Sequence, residues 1–222
     1  MLINKNYLED LLSNSLRAHY TRGKELAIQN SYRLMNRALL MKNQGDYGLA
    51  QSLTLLAYEE AQKAVYCSMV AVGLISAKDA ELVFIKHEPK IILFDKLFSD
   101  KVIITNNQIR FNADKTDIAQ IILNAKNEVT KDHNSKKNAG FYVNHVNGGW
   151  DSPNDIHESD IEQLVKEYHE RIVILHLASE IFLQPEYNTM EEIHGFTATT
   201  YAKTDGSIGA TIAFSSKTKE IP

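Results

Sequence analysis

Apolar positions recur every three or four residues along most of the first hundred positions, the period of helices with one buried face. Residues 4–16 read as a short amphipathic helix and 21–44 as a long one, ended by Asn43-Gln44-Gly45. Residues 46–75 are rich in Ala and Leu, lack proline, and predict the strongest helix of the chain. Its stripe is Leu49, Leu53, Leu56, Ala64, Cys67 and Ala71. A further helical region over about 77–98 is interrupted at Pro89. The texture then changes. Residues 102–105 and 108–111, separated by Asn106-Asn107, read as a hairpin with a two-residue turn. A helix is expected over about 114–129, a mobile polar loop over 130–138, an extended stretch over 140–143 and a turn at 147–149. Pro153 precedes a long helix from about 157 to 184, with the stripe Ile161, Leu164, Tyr168, Ile172, Leu175 and Phe182. Residues 196–203 and 207–215 predict a second hairpin. The expected fold is mainly α: an up-and-down bundle over 1–190, with a β insertion at about 101–112 and a hairpin tail over 191–222. The β structure is thus expected as two small hairpin decorations.

Charged residues disturb the apolar stripes. Glu60 falls on the stripe of the 46–75 helix, and Glu59 and Lys63 flank it. Glu59 and Lys63 are four apart with the acid first, which predicts an intrahelical pair worth about 0.2–0.5 kcal/mol. That leaves Glu60 in need of a partner, because a core-facing carboxylate costs several kcal/mol unpaired. His87 lies on the stripe of the next helical region, with Lys90 nearby. Asn30, Arg33 and Arg37 share a face of the preceding helix. Antiparallel neighbours would bring Arg37, Glu60 and His87 to similar depth. The cluster reads either as a polar network fixing helix register or as an active site, and spacing leaves both open. A small-ligand pocket around the same charges is a third reading.

Arg171 and His176 flank the stripe of the last long helix, five positions apart. Such a pair suits metal-free RNA cleavage. The imidazole takes the 2′-hydroxyl proton or protonates the leaving oxygen, and the guanidinium holds the phosphate.

Composition narrows the field. With 222 residues, 44% hydrophobic and 23% charged, the chain can bury one good core. No apolar run approaches the ~18 residues of a membrane span, and the N-terminus lacks a secretory pattern, so a cytoplasmic protein is expected. Cys67, the single cysteine, permits no internal disulfide and reads as a buried small hydrophobe. A net charge of −4 argues against general nucleic-acid binding. The charge is uneven, with seven basic against three acidic residues over 1–45 and seven acidic against one basic over 151–170. Opposite patches suit self-association or a directed partner surface. A lone Glu-x-x-His step at 191–194 does not make a metal site, no phosphate loop or serine elbow is present, and no cofactor is expected.

Taken together, these residues resemble the AbiV abortive-infection family of the HEPN superfamily. The likeness starts near Asn30-Ser31 and runs through Ala50, Glu59-Glu60-Ala61-Gln62-Lys63 and His87-Glu88-Pro89-Lys90. It resumes at Gly140-Phe141-Tyr142-Val143 and Pro153. The resemblance implies a HEPN-like bundle and a phage-defence protein that halts host translation. It further implies a metal-independent ribonuclease with Arg171 and His176 in catalysis, and Glu60 and His87 as further candidates. A homodimer sharing an RNA site and a phage-encoded activator are implied partners. The alternative is a non-catalytic module that senses a phage protein or blocks translation by contact.

Overall fold

The computed structural model describes residues 5–73, 75–78, 80, 84, 102–105, 108–111, 131–146, 149–184, 195–202 and 208–215. Helix α1 (Lys5–Asn43) is continuous, where the sequence suggested a break after residue 16. Residues 17–20 contain neither Gly nor Pro, and Gly23 costs only about 1 kcal/mol of helix propensity, too little to interrupt 39 residues. The helix ends where Gly45 adopts φ +80°, a conformation that suits glycine. There Asp46 N–H donates back to the Met41 carbonyl (3.0 Å). The Asp46 carboxylate then caps α2 (Tyr47–Ala71) by accepting from Leu49 N–H.

Helix α2 is buried on almost every side, not on one stripe. Leu49, Leu53 and Leu56 are only half-buried, while Ala57, Ala61, Ala64 and Val65 are fully enclosed. Small residues let α1 approach closely, and Ser31 Oγ donates to the Ala57 carbonyl at 2.6 Å. On another side α2 meets α4 (Glu158–Phe182), whose Ile161, Ile172, Leu175 and Phe182 are buried as their period predicts. Tyr58 and Tyr168 meet edge to face here, centroids 5.0 Å apart. Lys42 pairs with Glu162 and Lys24 with Glu180, so α4 runs antiparallel to α1. These pairs also show the acidic late helix meeting the basic N-terminal helix within one chain.

The expected loop over 130–138 contains a helix, α3 (Lys131–Ala139). Its polar sequence indicated exposure but not its anchorage. Gln51 Nε2 and Ser52 Oγ, both on α2, donate to the carbonyls of Lys136 and Lys137 at 2.6 Å each, satisfying the helix C-terminus. The Gly140 stretch is a turn rather than extended chain, with Phe141 and Tyr142 N–H donating to Asn138 O. Strands β3 (Asn144–Val146) and β4 (Gly149–Asp151) then form a ribbon. Ser152 and Asp155 close a capping box before α4.

The β structure corrects the expectation of two separate hairpin decorations. Strands β1 (Val102–Thr105) and β2 (Gln108–Phe111) join β5 (Gly195–Ala202) and β6 (Ile208–Ser215) in one antiparallel sheet, ordered β1-β2-β5-β6. Strand β2 pairs with β5 from Gln108↔Thr199 to Phe111↔Phe196. An isolated hairpin is marginal and leaves unpaired edges, whereas pairing two of them satisfies one edge of each. The β3–β4 ribbon was not foreseen. The helices expected over about 77–98 and 114–129 lie largely or wholly outside the described residues.

Candidate functional site

His176 sits on α4, half-buried and facing α1. Its Nδ1 lies 2.9 Å from the Tyr32 hydroxyl. Burial pushes the Tyr32 phenol up to about 12, so the hydroxyl keeps its proton. The other ring nitrogen, Nε2, faces Glu180 Oε1 at 3.5 Å. The His176 imidazole, with the Lys24 ammonium 2.7 Å away, holds the Glu180 carboxyl down at about 2 against the effect of burial. Ser179 Oγ donates to the His176 carbonyl at 2.7 Å. The result is a chain of polar groups, Lys24–Glu180–His176–Tyr32, spanning α1 and α4. Its chemistry is that of an oriented base: Nδ1 can accept a proton, and the carboxylate stabilises the imidazolium that forms.

Arg171 takes different partners. Its guanidinium pairs with Glu167 one turn back and lies over the Tyr168 ring, 5.2 Å from the centroid. Five residues of helix place it about 140° around α4 from His176. Within one chain the two groups do not converge.

The polar cluster on α2 is arranged otherwise than expected. Glu59, not Glu60, is the deeply buried carboxylate, at 2% exposure. Its partner is Lys137 of α3 at 2.7 Å, rather than Lys63. Lys63 instead pairs with Glu60, both half-buried. Glu60 thereby has a neighbour in its own helix. Asn30 Oδ1 accepts from exposed Arg33 at 2.8 and 3.1 Å, and Arg37 is exposed, away from Glu60's depth. His87 and Lys90 lie outside the described residues. Among the described residues no group of three or more His, Cys, Asp or Glu could hold a metal ion, and no helix is long and apolar enough to cross a membrane.

Lys24, Tyr32, Glu180 and Lys137 were missed in the sequence. A signal existed for two of them. Lys24 and Tyr32 are eight apart, on the face of α1 that also carries Ala27, Ile28 and Ser31. A lysine on a buried face needs an anion.

Long helices packed around a shared apolar core define a mainly helical bundle. The comparison with known families is more specific: residues 19–174 match the HEPN_AbiV model, described as AbiV. That is more than half of the chain, which belongs to this family. No curated protein and no solved structure matches it. Family membership supports a role in phage defence by abortive infection.

Proposed function

We propose that the protein is an abortive-infection toxin that arrests host translation in the cytoplasm by cleaving RNA without a metal. The observation that carries this reading is the orientation of His176 between Tyr32 and Glu180. In the proposed step the ribose 2′-oxygen attacks the adjacent phosphorus and its proton passes to His176 Nδ1, displacing the Tyr32 hydroxyl from that position. The bond from phosphorus to the 5′-oxygen breaks, that oxygen takes a proton from solvent water, and the fragment ends in a 2′,3′-cyclic phosphate. Arg171 steadies the phosphate charge. Because Arg171 and His176 face apart in one chain, the reading requires the guanidinium of a second copy, hence a homodimer. A phage-encoded protein is the proposed activator. Glu59, Glu60, Lys63 and the Asn30–Arg33 pair are assigned to the framework, not to bond cleavage.

One observation favours a second reading, a non-catalytic module that blocks translation or senses a phage protein by contact: Arg171 and His176 are each engaged by partners within the chain. One experiment separates the two. Purified protein, with and without co-expressed phage proteins, is incubated with tRNA and rRNA in EDTA, and growth arrest is scored in cells. Cleavage and arrest both lost in folded His176→Ala and Arg171→Ala establish the ribonuclease. Arrest retained in both variants establishes the binding module.

A further inference from the structure

Four of the eight large apolar side chains exposed among the described residues stand within ten positions of one another: Phe141, Tyr142, Val143 and Trp150. The other four are leucines scattered along α1, as single exposed apolar residues commonly are. Tyr142 and Trp150 are 62% and 73% exposed, and Trp150 is the sole tryptophan of the chain. Tryptophan is highly buried on average, so one left in water asks for a reason.

The four residues share one surface. The Phe141 and Tyr142 rings lie 6.0 Å apart, centroid to centroid. In the β3–β4 ribbon Trp150 stands opposite position 145. Alternation carried one residue ahead of β3 puts position 143 on the same face, diagonal to Trp150.

The fold holds this surface in place. At one end Gly140 is seated on α2, where a Cβ would lie 2.1 Å from the Gly48 carbonyl oxygen. At the other end Pro153 abuts Gly48 itself. Phe141 and Tyr142 N–H both donate to Asn138 O. A surface fixed in advance loses less conformational freedom on binding.

Its border is acidic. Asp151, Asp155 and Asp160 are exposed and take no ion-pair partner among the described residues. Of the two bases in the last turn of α3, Lys137 is paired with Glu59, which leaves Lys136. An apolar centre with a charged rim is the anatomy of a protein-binding surface, and a negative rim selects a positive partner.

From these features we infer that the patch is a docking surface for a partner-protein segment in which arginine or lysine alternates with large apolar residues. The apolar side chains cover Tyr142 and Val143, and a cationic group lies over the Trp150 ring. The rim carboxylates steer the segment in. The ribbon leads through Pro153 into α4, and His176 lies eighteen residues along that helix, about 27 Å away. The surface is therefore separate from His176, and the inference stands or falls independently of RNA cleavage.

The test uses the full chain and two short synthetic peptides, one alternating arginine with valine, the other glutamate with valine. Tryptophan fluorescence reports Trp150 alone. The arginine peptide should shift its emission to the blue and saturate below about millimolar concentration, and the glutamate peptide should do neither. Calorimetry should find the arginine peptide bound about tenfold or more weakly by Tyr142→Ser and Trp150→Ala, and equally well by His176→Ala. In Asp151→Asn association should slow and lose part of its salt dependence, with dissociation unchanged. Circular dichroism confirms that each variant is folded. Three outcomes overturn the inference. One is no saturation by the arginine peptide, or equal binding of the glutamate peptide. Another is a blue shift produced by phosphatidylcholine vesicles and not by the peptide, which would make the patch a lipid contact. The third is a blue shift that grows with protein concentration alone, which would make it a contact between copies of the chain.

Discussion

Lys137 and Glu59 form an ion pair 2.7 Å long between α3 and α2, 9% and 2% exposed and seventy-eight positions apart in the chain. A charge so enclosed depends on its partner. Removing one member breaks a buried ion pair, which costs about 3–5 kcal/mol. Lys137→Ala should therefore lower the denaturation midpoint sharply. The double variant Glu59→Leu, Lys137→Met should recover most of the loss, because an apolar pair of similar volume carries no desolvation penalty. Urea unfolding of the two variants beside the parent measures the difference. Equal losses in single and double variants would show that the pair is not the source of the effect.

A second prediction follows from Glu180. Its carboxyl ordinarily titrates near 4.5 and is held at about 2 by the His176 imidazole and Lys24. A carboxyl depressed in the folded state contributes stability that is complete above the unfolded value and lost as pH falls through the folded one. The contribution is thus full above about pH 4.5 and declines toward pH 2. Comparing the parent with Glu180→Gln across pH 2–7, the stability gap should be constant at the upper end and close through that window. Solvent screening will keep the gap small, since Glu180 is more than a third exposed. A gap that widens on acidification would contradict the sign.

Cys67 supplies a third. Burial pushes its thiol up to about 11, with Lys63 lowering and Glu60 raising it by lesser amounts. The thiolate is the reactive species, so native protein at pH 8 should alkylate slowly. Unfolding restores an ordinary thiol near 9, and the thiolate fraction rises roughly a hundredfold. Mass spectrometry of iodoacetamide-treated protein, with and without urea, reads this directly. Rapid native labelling would show that the thiol is not enclosed.

What the sequence made legible, and what it did not, divides along physical lines. The α4 stripe was readable because that helix has one solvated side, so its period survives. The Arg171/His176 spacing is local and was readable for the same reason. The identity of the buried carboxylate was not. A stripe argument assumes one buried face, but α2 is buried on almost every side, and Glu59 and Glu60 are adjacent positions that meet different neighbours. The neighbour that decides it, α3, has a sequence polar enough to pass for a loop. Tyr32 and His176 are 144 positions apart, and Lys24 and Glu180 are 156 apart. No local pattern encodes such partners. The single sheet was hidden likewise, since each hairpin has its own turn signal but the β2–β5 pairing has none.

The approach of Gly140 to α2 gives the last prediction. A Cβ added to Gly140 would lie 2.1 Å from the Gly48 carbonyl oxygen and 2.2 Å from Ser52 Oγ. Side-chain rotation could move the serine but not the carbonyl, which belongs to the backbone of α2. Gly48 cannot retreat, because its own Cα position already abuts Pro153: a Cβ there would meet Pro153 Cβ at 2.6 Å. Gly140→Ala must therefore lift the end of α3 away from α2. That strains the Gln51 and Ser52 bonds to the α3 carbonyls and draws Lys137 from Glu59. Overpacking costs typically 1–3 kcal/mol and each lost hydrogen bond about 1, so a loss of about 3 kcal/mol is expected. Gly45→Ala is the control. It meets nothing within 4 Å and suffers only the strain of its positive φ, about 1–2 kcal/mol. Thermal and urea unfolding rank the two. Hydrogen exchange should show lost protection in residues 131–139 for Gly140→Ala and none for Gly45→Ala. If Gly140→Ala is as stable as the parent, α3 does not dock on α2 through these glycines, and the setting of Glu59 must be redrawn.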